Sequence, residues 1–193
     1  MYYKKLIGDN IYLAPLCLDD YPSYTEWVND LEVGFGLPFP AMMINESSEK
    51  AALERLSSSG YHFAIVDAKT DNLIGNIGFA KLDSMNRIAT VGIFIGNKDY
   101  WNKGYGTEAL SLLLDYGFNV LNLNAINLSV YAYNLPAIRC YEKLGFKEAG
   151  RLREAKIIAG EAFDEIFMDI LAREFESPYI KPLMSKRFAP TSL

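Results

Sequence analysis

Residues 87–118 read RIATVGIFIGNKDYWNKGYGTEALSLLLDYGF, and the change of period inside this stretch decides the fold. As far as Gly96 the run is β-branched and apolar, as a buried strand is. From Thr107 the apolar residues Leu110, Leu113, Leu114 and Phe118 fall at i, i+3, i+4 and i+8, the stripe of a buried helix face. Between strand and helix lies a glycine loop. Gly104 and Gly106 allow backbone conformations and close approaches that a side chain would block, at a helix start where unpaired N–H groups and the positive dipole end face outward. Such a start binds anions, most often phosphate. Lys103 adds a positive charge and Thr107 a hydroxyl that can cap or bond.

Upstream, HFAIVDA, LIGNIGFAKL and RIATVGIFIG are three β-type runs separated by turns at KTDN and DSMN, an antiparallel meander. Before them come a strand, IYLAPL, and a helix, PSYTEWVNDL, which the Asp19 and Asp20 pair is placed to cap. A Gly- and Pro-rich loop follows, VGFGLPFPAMMINESSE, expected to be mobile, then a short helix around 48–56. Its Phe35, Phe39, Met42 and Met43 offer either a subunit contact, hence a homodimer, or an acceptor pocket. Downstream, AINLSVYAY reads as a strand and NLPAIRCYEKLGF as a helix whose stripe is Ala137, Cys140, Tyr141 and Leu144, ended by Gly145. Two further strands flank a turn at Ala159 and Gly160. The reading is one domain over 1–176 and a polar, proline-bearing tail over 177–193.

Composition excludes several classes. At 193 residues, 50% hydrophobic and 22% charged, the chain is long enough for one domain with a sizeable core and is not a disordered tail. Its 19 Lys and Arg against 24 Asp and Glu give a net charge of -5, so there is no basic field for nucleic acid or an anionic membrane. Apolar stretches end well short of the roughly 20 residues a membrane span needs, and MYYKKLIGDN lacks a secretory apolar region, so a cytoplasmic location is expected. Cys17 and Cys140 are isolated thiols, which argues against a disulfide framework and a metal site. His62 is the one histidine and reads as a strand-edge residue, so a histidine-based triad would rest on it alone.

Three kinds of phosphate loop compete. A Walker loop needs Gly-Lys-Ser/Thr, and here the order is Lys103-Gly104. Gly104-Tyr105-Gly106-Thr107-Glu108-Ala109 formally matches a dinucleotide fingerprint. That fold runs its strand straight into the first glycine and places an acidic residue about 20 residues on, and neither holds here. The third kind fits. The opening stretch, followed by NLPAIRCYEKLGFKEAG and then GEAFDEIFMDIL, resembles the GNAT superfamily of acyl-CoA-dependent N-acetyltransferases over about residues 8–175. Its W-x-K-G-Y-G-T-E-A and N-x-x-A-x-x-x-Y-E-K-x-G-F forms look like the branch holding ribosomal-protein N-terminal and spermidine acetyltransferases.

The resemblance implies an α+β fold: a mostly antiparallel, splayed central sheet of about seven strands flanked by about four helices. It implies acetyl-CoA as acyl donor without a metal, and a primary amine as acceptor: a peptide N-terminus, a polyamine or another small amine. The backbone of Phe94, Ile95 and Gly96 would pair with the pantetheine, and the amides of Lys103, Gly104, Tyr105, Gly106 and Thr107, with Trp101 and Asn102 leading in, would wrap the pyrophosphate. Asn134 aligns near the thioester end, Lys143 near the cofactor, and Tyr141 beside the sulfur. A phenol of pKa about 10 can protonate a departing thiolate whose conjugate acid lies near 8.5, so direct attack in a ternary complex needs no nucleophilic side chain. The oxyanion would be held by a backbone N–H near Ile95 if that strand is bulged there.

Two departures follow. Trp101 stands where the family often has Gln or Arg. Thr90 stands where many members carry a basic glutamate, which leaves Glu26, Asp30 or Glu32, on or after the first helix, as relayed bases, and leaves a non-enzymatic acyl-CoA sensor as the alternative function.

Overall fold

The computed structural model describes residues 2–38 and 41–188. One open sheet of eight strands runs through it in the order β1-β2-β3-β4-β5-β6-β8-β7. The strands are β1 (Leu6–Ile7), β2 (Ile11–Pro15), β3 (His62–Asp67), β4 (Leu73–Asp83), β5 (Ile88–Ile95), β6 (Ala125–Tyr131), β7 (Lys147–Ile158) and β8 (Glu161–Leu171). Every neighbouring pair is antiparallel except β5 with β6. The sheet is the mixed, mostly antiparallel one expected. The count reaches eight because Leu6–Ile7 folds back onto β2 as a short edge.

Six α-helices are described instead of about four: α1 (Tyr21–Asn29), α2 (Leu31–Gly34), α3 (Glu46–Ser58), α4 (Tyr105–Asn119), α5 (Leu135–Lys143) and α6 (Ile180–Phe188). The extra two, α2 and α6, lie in Gly- and Pro-punctuated segments whose short runs carry little periodicity. Asp20 does not cap α1 with its side chain; it ends a 3-10 turn, Leu18–Asp20, and its carboxylate accepts the Tyr2 hydroxyl at 2.9 Å. Asn45 does cap α3, accepting from Ser48 N.

Alternation along the strands loads both faces of the sheet. Ile11 and Leu13 on β2, Phe63 and Ile65 on β3, Ala89 and Val91 on β5 and Ile126, Leu128 and Val130 on β6 meet the stripe of α4 in the larger core. Tyr12, Ala14, Ala64 and Val66 point the other way and pack with Tyr24 of α1 and Leu53 of α3. Residues 90 and 92 on β5 and 127 and 129 on β6 share that second face, where α1 and α3 are the helices packed among the described residues.

Residues 177–188, which belong to the segment set apart in sequence as a tail, are tied to the domain through Ser177, Tyr179 and Ile180. Asp115, fully buried in α4, accepts Ser177 Oγ at 2.6 Å, Tyr179 N at 2.8 Å and Ile180 N at 2.9 Å, as well as its helical neighbour Asn119 Nδ2 at 2.7 Å. The Gly- and Pro-rich loop expected to be mobile is pinned at three points: Tyr133 donates to the Phe35 carbonyl at 2.6 Å, Lys156 to that of Pro38 at 3.3 Å, and Asn29 donates to the Ile44 carbonyl at 2.6 Å and accepts from Ile44 N at 3.0 Å. Phe35 is partly and Met42 and Met43 largely exposed, while Phe39 lies outside the described residues.

Candidate active site

The sheet forks between β5 and β6. Their parallel pairing covers Ile88 with Ala125, Ala89 with Ile126 and Thr90 with Asn127, and there it stops, although β5 runs on to Ile95 and β6 to Tyr131. Thr90 Oγ1 donates to Asn127 Oδ1 at 2.8 Å and closes the base of the fork. Above it, two facing strand edges keep unpaired backbone groups at mid-sheet, where a polar chain of strand-like shape can satisfy them.

The glycine loop joins this fork at its open end. Gly104, at φ +87°, caps α4 in the left-handed region that a side chain disfavours, and Asn102 also has positive φ. Asn102, Lys103 and Gly104 are exposed, and the amides that open α4 have no side-chain cap. The Trp101 indole points inward: its Nε1–H donates to the Ile95 carbonyl at 2.8 Å, fastening the loop to the end of β5. The tryptophan therefore holds the loop, and the backbone is left to meet an anion. Gly96 is fixed by packing, since a Cβ there would sit 2.2 Å from the Trp27 ring. Tyr105 turns its ring away, edge-on to Tyr100, with its hydroxyl 3.4 Å from Asp67.

On the α4 side of the fork, α5 presents the remaining expected residues. Asn134 caps α5, accepting from Ala137 N at 3.2 Å, which leaves its amide NH2 for another partner. Thr107 Oγ1 and Cys140 Sγ lie 3.2 Å apart, so the first turn of α4 and the middle of α5 are in contact. Burial pushes the Cys140 thiol up, opposed by Thr107 and by Lys143, which is exposed at the end of α5. Tyr141 is buried beside Phe146, and burial holds its phenol well above the ordinary value. Its hydroxyl has no hydrogen-bond partner among the described residues. No fully buried side-chain oxygen among them lacks one, so the Tyr141 oxygen reaches open space.

Two expectations are corrected. Pairing of β4 with β5 is regular from Gly75 with Ile95 to Phe79 with Val91, and the irregularity falls on β4 at Ala80, so β5 is not bulged near Ile95. A bulge there would break the packing of Phe94 against Tyr24 and Trp27. The acidic residues after α1 are also occupied: Lys98 lies 2.6 Å from Asp30 and 3.0 Å from Glu32, and the first contact lowers the Asp30 pKa. Asp30 and Lys98 line, with Glu26, a cleft of about 580 Å³ that reaches Gly96 but includes neither Thr90 nor Tyr141. At the base of the fork a second pocket of about 400 Å³ is lined by Lys81, Thr90, Asn127, Ser129 and Asp169, its one carboxylate.

An open α+β sheet with a forked centre and a glycine-started helix at the fork defines an acyl-CoA-dependent acyltransferase, and the residues present fit such a cofactor: a free strand edge for the pantetheine and bare amides for the pyrophosphate. A family profile described as acetyltransferase (GNAT) domain matches residues 10–147, and the chain belongs to that family. It is an acetyl-CoA-dependent N-acetyltransferase, and the sensor alternative is set aside.

Among its relatives, the uncharacterized N-acetyltransferase p20 of Bacillus licheniformis is 35% identical over 133 residues, 69% of this chain and 70% of that protein. The spermidine N(1)-acetyltransferase of Vibrio cholerae is 34% identical over 113 residues, 58% of this chain and 64% of that protein. The solved structure of spermidine N-acetyltransferase from Vibrio cholerae in complex with CoA and spermine superposes with a TM-score of 0.74 at 26% identity, covering 86% of this chain and 98% of that one. A GNAT acetyltransferase from Bacillus anthracis shares the fold, with a TM-score of 0.77 at 23% identity over 90% of this chain and all of that one.

Among the described residues no helix is long and apolar enough to cross a membrane, and no group of three His, Cys, Asp or Glu is placed to hold a metal.

Proposed function

We propose that this protein acetylates a primary amine, a polyamine or a peptide N-terminus, by direct attack on acetyl-CoA in a ternary complex at the β5–β6 fork. The observation that carries this reading is the end of pairing at Thr90 and Asn127 with both strands continuing. When bound, acetyl-CoA supplies the activated acetyl thioester. Of the three residues expected to meet the pantetheine, Phe94 pairs with Asn76 of β4, Gly96 N donates to Ile74 O at 2.9 Å and the Ile95 carbonyl accepts the Trp101 indole N–H. The Ile95 N–H and the β5 edge below it therefore hold the pantetheine. The amides of Lys103, Gly104, Tyr105, Gly106 and Thr107 hold the pyrophosphate, aided by the Lys103 charge and by Asn102 at the mouth. Trp101 acts indirectly by anchoring the loop. The free amide of Asn134 and the Lys143 ammonium sit at the cofactor from α5.

Tyr141 is the general acid. Burial keeps its phenol protonated through the physiological range, and its hydroxyl is not committed elsewhere, so it can give a proton to the departing thiolate. The spermidine and ribosomal acetyltransferases among the relatives support the primary-amine class.

Release of CoA thiol from acetyl-CoA, measured with spermidine, aminoglycosides, free amino acids and short peptides beginning with Ser, Ala or Met, tests the proposal. Release that depends on one acceptor class is expected. Release that proceeds at the same rate with no amine added, or none with any amine while acetyl-CoA binds, overturns it.

A further inference from the structure

The acid of the proposed site sits on the α4 face of the sheet, which leaves the other face, where Thr90 lies, for the amine. On that open face lies the single histidine of the chain. His62 opens β3 directly opposite Gly78 of β4, which in turn faces Gly92 of β5. A Cβ on Gly78 would stand 2.5 Å from His62 Cδ2 and 2.6 Å from Cγ, so the imidazole packs against bare Gly78. A Cβ on Gly92 would meet nothing within 4 Å. Two facing glycines thus leave a floor of uncovered backbone one strand wide, roughly 5 Å, between the imidazole and the edge of the fork.

The ring is also set in one tautomer. Ser59 Oγ lies 2.7 Å from the Leu56 carbonyl oxygen and 2.8 Å from His62 Nδ1, and it accepts from Tyr61 N at 3.2 Å. A hydroxyl has one proton, and a carbonyl can only accept, so that proton goes to Leu56 O. Directed at Nδ1 instead, it would leave two oxygens lone pair to lone pair at 2.7 Å. Ser59 must therefore accept from Nδ1–H, which leaves Nε2 unprotonated, with no hydrogen-bond partner among the described residues. Burial lowers the imidazole pKa, and neither Tyr61 beside it nor any charged residue of α3 or β4 contributes to the shift.

We propose that His62 is the general base, taking a proton through Nε2 from the acceptor ammonium, directly or through one water on the Gly78–Gly92 floor, with Ser59 as its positioning residue. The proposal rests on the fork being the site of transfer. The balance closes. His62 removes one of the three ammonium protons and later gives it to solvent. The amine nitrogen forms the C–N bond and the C–S bond breaks. Tyr141 protonates the sulfur and recovers its proton from the nitrogen, which ends as the neutral amide N–H. His62 and Tyr141 stand on opposite faces of the sheet, so base and acid do not compete for one position at the fork.

Two measurements test this on the full chain. With the amine that the thiol-release panel identifies, His62→Gln should lower kcat at pH 7 by about 10²–10³-fold with the KM for acetyl-CoA unchanged. Its rate should then climb about tenfold per pH unit toward the amine's own pKa, about 10 for a polyamine and about 8 for a peptide N-terminus, because the substrate there deprotonates unaided. A merely structural histidine would lower the rate equally at every pH, and that parallel loss, or an unchanged rate, overturns the proposal.

The second measurement needs no acceptor, and so separates this proposal from the fork reading. Long-range nitrogen–proton NMR of the lone imidazole should show the Nδ1–H tautomer at pH 8 and its loss in Ser59→Ala. A predominant Nε2–H tautomer in the parent protein overturns it. Catalysis at another place in the molecule with the Nδ1–H tautomer intact would instead defeat the fork reading, and with it the role of His62.

Discussion

Removing the Asp115 carboxylate should undock the C-terminal segment from α4 and leave the rest of the domain folded. Three donors of that segment, Ser177 Oγ, Tyr179 N and Ile180 N, end on this one buried side chain. Hydrogen bonds to a charged acceptor are worth about 1.5–3 kcal/mol each, so three of them sum to about 4.5–9 kcal/mol if their donors stayed buried. They need not stay buried, because the segment is terminal and can swing into water. The loss is then capped by what else seats it: the contacts of Phe175, Tyr179 and Ile180 with the main core, including the Phe118–Phe175 ring pair at 5.4 Å. We expect Asp115→Ala to cost about 3 kcal/mol, at the upper end of ordinary single substitutions. At about 2–4 °C per kcal/mol for a domain of this size, the melting temperature should drop by roughly 6–12 °C. Amide exchange at Tyr179 and Ile180 should accelerate to nearly unprotected rates while β2–β5 amides stay slow. Unaltered slow exchange at those two positions in the variant would falsify the latch.

Tyr141→Phe should lower turnover by about 10–100-fold or more while acetyl-CoA binding is retained, and because burial raises the phenol pKa, the parent enzyme should show no alkaline loss from this group below about pH 10. Gly104→Ala forces a Cβ into the left-handed region at a cost of about 1–2 kcal/mol; nothing crowds it there, so the chain should fold but with a raised KM for acetyl-CoA and an unchanged KM for the amine. Burial alone would raise the Asp67 pKa, but hydrogen bonds from Lys69 N and Thr70 N outweigh it and the net shift is downward. A lowered carboxylate pKa contributes stability above its ordinary value near 3.8 that is lost as pH falls through the lower folded value. Asp67→Asn should therefore flatten the acid limb of a melting-temperature profile.

The meander, the long helix and the second helix were legible because each writes its own period: two for the strands, 3.6 for α4 and α5. The glycine loop was legible for a related reason, since only the start of a helix combines bare amides with Gly104. What could not be read depends on which distant residues meet. Nothing local to Ser177 or Tyr179 announces that Asp115, more than sixty residues earlier, will receive them. The part played by Trp101 was hidden likewise, because an indole donating back to the Ile95 carbonyl is a matter of loop geometry and not of residue type. His62 looked like a strand edge because its significance lies in two glycines across the sheet. A register shift of one residue would have turned the ring to the other face.

Amide hydrogen exchange of the full chain with and without acetyl-CoA tests the central claim most directly, that the fork is where the cofactor adds its edge to the sheet. The account predicts strong slowing on binding at residues 91–95 of β5 and at loop residues 103–107, with the outer edges β1 and β7 unchanged. Saturating acetyl-CoA that leaves residues 91–95 exchanging as before, or that protects only the acidic cleft beside α1, would contradict it.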